Sequence, residues 1–122
     1  EAIGRFPETS FVATEQFIGN NPDVIEKWVN ALVKATQWMN ESSMEEVAKA
    51  LAPYFEGTSE ELIIKSVERY QQIGSWSKEP VLTQEQLDIL QRVLIENGVL
   101  KEDQKVQLED IADNSFAGKV SP

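Results

Sequence analysis

The chain has 122 residues and a formal net charge of −10, with 11 Lys and Arg against 21 Asp and Glu. It contains neither cysteine nor histidine, which excludes disulfides, thiolate catalysis, Cys-ligated metal centres and Ser-His-Asp or Cys-His catalysis. The negative charge argues against nucleic-acid binding, because phosphate contacts need clustered Lys and Arg. We therefore expect no catalytic residues, no metal and no cofactor, in a chain the size of one small domain.

The first residues predict a connector and a short strand. Residues 1–8 have no periodicity and include a glycine and a proline, whereas residues 9–14 form a short run of apolar and small side chains. One helical turn is expected over residues 15–18, before a break at Gly19, Asn20 and Asn21. The chain does not begin with Met, and we expect it to be a processed or excised segment.

Residues 22–40 predict a long amphipathic helix. Asn21 can cap it, Pro22 suits the first helical position, and Asp23 complements the positive end of the helix dipole. Apolar residues recur at helical spacing and include Trp28 and Trp38. Both tryptophans are expected to be core residues.

Three more helices are predicted, each opened by a capping box in which a Ser or Thr pairs with a Glu or Gln three residues later. They cover residues 43–55, 58–73 and 83–98, and each is followed or ended by a glycine. Residues 101–122 are polar and irregular. In this part Val106 is expected to pair as a strand or lie extended, residues 108–112 to form one turn, and Phe116 to anchor a loop over residues 114–118.

Residues 11–42, FVATEQFIGNNPDVIEKWVNALVKATQWMNES, resemble the carboxy-terminal third of the solute-binding proteins of ABC importers. The similar branch binds nitrate, sulfonates, taurine and thiamine precursors. Several weaker features follow in the order of that family: the 43–55 helix, Tyr70, Trp76, the 83–98 helix ending in Asn-Gly-Val-Leu, and the closing DIADNSF at residues 110–116.

The resemblance implies a fragment of a two-lobe α/β periplasmic-binding-protein fold that is mainly α as given, with about four helices and a short strand. Residues 1–14 would be a connector and crossing strand, and residues 15–122 the helical carboxy-terminal portion of the first lobe. The implied function is the solute-binding component of an ABC import system for sulfonate-, nitrate- or taurine-like molecules. The implied partners are a small solute in the full-length protein, an ABC permease and the missing amino-terminal lobe. The implied location is periplasmic, or extracytoplasmic and membrane-anchored.

Three residues are candidates for ligand binding. Arg5 and Thr14 lie near the implied crossing between lobes, and Trp76 lies in a loop between two serines. Two of them also have a structural interpretation: Arg5 as a surface or hinge arginine, and Trp76 as a loop anchor that packs on the third and fourth helices.

Two other functions stay open, and self-association is expected as well. The chain could be a free-standing acidic helical module that binds a basic partner. An enzyme of the pyrimidine-synthase branch is disfavoured, because that branch is implied to use histidine and iron. The wide apolar face of the long helix needs covering, so we expect self-association through Trp28 and Leu32 or exchange of residues 9–14 between chains.

Overall fold

A computed structural model describes residues 4–7, 9–77 and 79–117. These residues are mainly helical, as predicted, and we number their α-helices in chain order. The helices are α1 (Glu15–Asn20), α2 (Pro22–Glu41), α3 (Met44–Leu51), α4 (Glu60–Ile73), α5 (Gln84–Glu96) and α6 (Leu108–Ile111), and two 3₁₀ turns cover Ala52–Tyr54 and Glu102–Gln104. The predicted connector lies partly, and Gly118 wholly, outside the described residues.

The predicted strand over residues 9–14 is wrong. No strand occurs in the described ranges. Phe11 is 70% exposed and Val12 is 91% exposed, and Thr14 has extended backbone angles (φ −74°, ψ 148°) without a ladder. A strand needs a partner for its backbone N–H and C=O groups, and the elements that follow are helical. The strand-like composition of residues 9–14 therefore does not lead to a sheet here.

The helix ends follow from the side chains around them. Two capping boxes are confirmed, Ser43 with Glu46 and Thr83 with Gln86. The third is wrong by one residue, because Ser59 caps α4 by accepting a hydrogen bond from the backbone N–H of Leu62 at 3.3 Å. Thr58 instead donates its N–H to the carbonyl of Phe55 and closes the preceding turn.

Helix α3 is shorter than predicted. It ends at Leu51 and tightens into the 3₁₀ turn that contains Pro53. Proline has no N–H to donate to the carbonyl four residues earlier, so the α-helical ladder cannot continue through it. Asn21 precedes α2, and its backbone carbonyl accepts hydrogen bonds from the N–H groups of Val24 and Ile25; its side-chain amide donates to the Phe17 carbonyl of α1 at 3.0 Å.

The chain divides into two compact units. In the second, residues 28–80, α3 packs on α4 through buried Val47, Ala48, Ile63 and Val67. Met39, Met44, Leu51 and Trp76 are among the partly buried residues that pack against this cluster. Val47 and Val67 are the largest fully buried side chains of the described residues.

In the first unit, which joins residues 4–27 with 81–117, the buried residues of the described part are Leu87, Gln91 and Phe116. Phe116 is 8% exposed, so its predicted role as an anchor of the terminal loop is confirmed. Leu87 lies on the apolar stripe of α5. Gln91 lies one turn further along the same stripe and is 4% exposed.

Trp28 and Trp38 do not lie in a core. Their exposed fractions are 50% and 44%, so the prediction that both are core residues is wrong. The buried position of α2 is Val33. The helical spacing of the apolar residues correctly predicts α2, but spacing alone does not show which part of a wide apolar face is covered.

The capping box of α3 predicts a pH-dependent contribution to stability. The Ser43 hydroxyl and backbone N–H donate to the Glu46 carboxylate, at 2.8 and 3.1 Å, and this lowers the pKa of Glu46. A carboxyl whose pKa is lower in the folded state stabilises the fold above its unfolded pKa, and this stabilisation is lost as the pH falls through the folded pKa. We therefore expect Glu46→Gln to be less stable than wild type at pH 7, by a difference that shrinks as the pH falls below 4.5 and through the lowered pKa of Glu46. Urea unfolding over this pH range measures the difference; a pH-independent difference would contradict the expectation.

Candidate functional site

Trp76, a predicted ligand-binding residue, lies against the core of the second unit. It packs on the cluster formed by α3 and α4, and its ring meets Tyr70 edge to face, with centroids 5.8 Å apart and planes at 72°. This is the geometry that aromatic pairs prefer. Packing on α4 is therefore one role of Trp76, and its predicted contact with a ligand stays a prediction.

Thr14 and Arg5 belong to the first unit, whereas Trp76 belongs to the second. The Thr14 hydroxyl accepts a hydrogen bond from the backbone N–H of Phe17 at 3.1 Å and caps α1. That bond accounts for the threonine at this position without a ligand. Arg5 is exposed. The structure thus places two of the three candidates in one unit, and their part in binding stays a prediction.

The polar residue that sequence reasoning missed is Gln91 on α5. Its carboxamide pairs with the backbone of Val106 in both directions: the Val106 N–H donates to Gln91 Oε1 at 2.8 Å, and Gln91 Nε2 donates to the Val106 carbonyl at 3.2 Å. A side-chain amide here does what a neighbouring strand would do. Val106 is not in a strand, so its predicted pairing as a strand is wrong; the residues on either side of it, Lys105 and Gln107, have extended backbone angles.

Two further amides hold the segment that follows. The Leu108 N–H donates to Gln84 Oε1 at 3.0 Å. Asn114 pairs with the backbone of Leu82 in both directions: the Leu82 N–H donates to Asn114 Oδ1 at 3.3 Å, and Asn114 Nδ2 donates to the Leu82 carbonyl at 2.8 Å. We call residues 106–116 the strap. Three carboxamides, from Gln84, Gln91 and Asn114, join the strap to α5 and to the residues that precede α5.

A shallow depression of about 330 Å³ lies beside these amides, lined by Gln84, Gln107, Leu108, Glu109, Ala112 and Asn114. The carboxamides of Gln84 and Asn114 already make protein hydrogen bonds there. Glu109 is exposed and Leu108 is half-buried. Both polar and apolar side chains line the depression, and all of them belong to the first unit.

The acidic residues are spread along the chain and do not converge. Asp or Glu occupies the first turn of each of the six helices in the described ranges, where a carboxylate stabilises the helix dipole. No group of three of them is arranged to hold a metal ion within those ranges. Two exposed ion pairs, Lys65–Glu61 and Lys105–Glu102, add little stability.

Several large apolar side chains of the first unit are exposed near its amino-terminal end. They are Phe11 (70%), Val12 (91%), Phe17 (46%) and Val24 (52%). Single exposed apolar residues are common on protein surfaces. Four large ones within fourteen positions form an unusually apolar segment of an acidic chain. None of the helices in the described part is both long and apolar enough to cross a membrane.

The chain is 28% identical over 121 residues to the "Putative binding protein YtlA" of Bacillus subtilis (strain 168). The match covers 99% of this chain and 36% of that relative, so the chain spans about a third of the relative's length. No family model matches the chain. No solved structure matches it either. The similarity relates the whole chain to part of a binding protein.

Proposed function

We propose that this chain is the carboxy-terminal portion of the solute-binding component of an ABC import system. The proposed solutes are small sulfonate-, nitrate- or taurine-like molecules, and the proposed location is extracytoplasmic. The observation that carries the proposal is the similarity over 99% of the chain to a relative that is named a binding protein. Most of that relative lies outside the match, as expected if a second portion completes the ligand cleft.

The exposed apolar residues support this proposal. Phe11, Val12, Phe17 and Val24 are 46–91% exposed in the first unit. A protein that functions alone gains stability by burying such side chains, at roughly 25 cal/mol per Å² of apolar surface. Their exposure is consistent with a chain whose remaining partner surface belongs to the same longer polypeptide.

The chemistry of the chain suits a carrier better than an enzyme. Without histidine and cysteine, the acid–base candidates are carboxylates, Lys and Tyr, and the described carboxylates lie mostly in first helical turns. Carriage of a solute needs no proton transfer. Of the predicted site residues, Arg5 fits the proposed solutes best, because a guanidinium can donate two parallel hydrogen bonds to a sulfonate or nitrate.

The proposal is tested on the polypeptide encoded by the gene that contains this sequence. Native mass spectrometry of the protein purified from its host would reveal a retained solute, and thermal shift against taurine, an alkanesulfonate, nitrate, bicarbonate and a thiamine-precursor pyrimidine would identify its class. We expect one solute to bind with 1:1 stoichiometry. At one hundred times its Kd it would stabilise the fold by about 2.7 kcal/mol.

An Arg5→Gln variant of the same polypeptide tests the proposed contact. It should lose most of the melting-temperature shift that anions produce, measured against its own melting temperature without solute. If the reading frame is no longer than this chain and no solute of the panel binds, the proposal is wrong. That outcome would favour the alternative function, a free-standing acidic helical module that binds a basic partner.

A further inference from the structure

We propose that the strap, residues 106–116, opens and closes on α5 as one cooperative element that is locked by the side-chain amides of Gln84, Gln91 and Asn114. The inference rests on contacts inside the first unit and does not depend on the proposed function. It assigns these three residues the role of a latch, which no similarity to another protein assigns to them.

Hydrogen bonds between side-chain amides and backbone groups hold the strap in place. Five hydrogen bonds of 2.8–3.3 Å join it to α5 and to Leu82, and each has a side-chain amide on one side and backbone on the other. The strap itself contains one short helix, α6, of four residues. A helix of this length has no stability of its own in water, so the amides and the burial of Phe116 determine where the strap lies.

The side chain of Gln91 is buried. This residue is 4% exposed, and both its donor and its acceptor are satisfied by Val106. If Val106 moved away while the rest of the strap stayed in place, the buried side-chain amide of Gln91 would lose two hydrogen bonds where water reaches poorly. An unsatisfied buried polar group is costly. Partial opening is therefore penalised, and the strap should open at both ends together.

Residues 101–105, between the turn that ends α5 and the strap, can act as a hinge. Helix α5 ends at a tight turn in which Gly98 has a positive φ of 71°, and the N–H groups of Val99 and Leu100 both donate to the Leu94 carbonyl. This turn stays attached to α5 by its own hydrogen bonds. Residues 101–105 between the turn and the strap are exposed, so they can swing without uncovering apolar surface of their own.

Opening of the strap would abolish the depression described above. Five of its six lining residues belong to the strap, and the sixth, Gln84, belongs to α5. The concave surface therefore exists only while the strap is closed. A molecule that occupied it would bind the closed state and shift the equilibrium toward it.

Amide hydrogen exchange of the 122-residue chain, followed by NMR near pH 7, tests the proposal. The reporters are the N–H groups of Val106, Leu108 and Leu82. Each donates a hydrogen bond to the side-chain oxygen of one latch residue. We expect them to share one opening equilibrium and to exchange faster than the N–H groups inside α5. Gln91→Leu should accelerate all three by about ten- to hundredfold, because two hydrogen bonds are lost at once, and should leave α5 protected.

The control is Gln72→Leu, since Gln72 is an exposed glutamine of α4 in the second unit whose amide donates only to Glu68 among the bonds described. It should leave the three reporters unchanged. Asn114→Ala, at the far end of the strap, should accelerate Val106 and Leu108, and it keeps the test valid if Gln91→Leu unfolds the first unit. Acceleration of Val106 alone, or equal acceleration throughout α5, would overturn the proposal.

Discussion

Replacing Val67 by aspartate is expected to abolish the folded state of the second unit. Val67 is 1% exposed in the cluster where α3 packs on α4. A carboxylate at this position would lose its hydration without gaining a partner, which costs about 4 kcal/mol or more. At roughly 0.1 kcal/mol of stability per residue, a unit of this size is stable by only about 5 kcal/mol, so residues 28–80 should lose their dispersed NMR signals and their cooperative thermal transition by circular dichroism.

Leu62→Asp is the matched control for this effect. Leu62 lies on the same helix but is 55% exposed. The same change of chemistry there should alter the free energy of unfolding by about 0.5 kcal/mol or less. Equal damage from both substitutions would show that the packing of α3 on α4 is not the core of this unit.

Phe116→Ala is expected to have the second largest effect. The ring is 8% exposed at the end of the strap, and truncation of a buried phenylalanine costs about 3–5 kcal/mol. The lost stability should appear as a lower midpoint in urea unfolding and as earlier proteolytic cleavage within residues 106–116. Both measurements follow the first unit, because residue 116 belongs to it.

Tyr54→Ala provides the comparison for Phe116→Ala. Tyr54 is also aromatic but is 82% exposed, so its truncation removes little buried surface and should leave the urea midpoint nearly unchanged. If Phe116→Ala is as mild as Tyr54→Ala, the terminal loop is not anchored by its phenylalanine. The strap would then be held by its amide hydrogen bonds alone.

The helices could be predicted from the sequence because their signals are local. Ser43 with Glu46 and Thr83 with Gln86 form capping boxes in the structure, and Gly74 has the left-handed φ of 61° expected at a helix end. Each signal depends on side chains within one turn of the helix end. The error at α4 has the same local origin, since Thr58 and Ser59 are adjacent alternatives for one cap.

The missing strand and the exposed tryptophans depend on contacts that no local pattern contains. Residues 9–14 have the composition of a strand, but a strand also needs a partner. In the same way, the apolar face of α2 predicts a covered helix and does not say what covers it. Trp28 and Trp38 are each about half exposed for this reason. That a second copy of the chain covers this face stays a prediction.

The latch could be predicted only in part. Gln91 lies four positions after Leu87, next to Leu90 on the stripe of α5. A polar residue at a core position indicates a buried side chain with backbone partners. Its partner Val106 is fifteen residues away, and the partner of Asn114 is thirty-two residues away. Nothing in the local sequence identifies either pair.

The most direct test of the central claim is a pair of calorimetric titrations with the solute found by mass spectrometry. One titration uses the 122-residue chain and the other uses the polypeptide encoded by the whole gene. We expect 1:1 binding to the longer polypeptide and none to the 122-residue chain alone, because the chain is proposed to supply only part of the cleft. Equal affinity for both, or binding by neither, would contradict it.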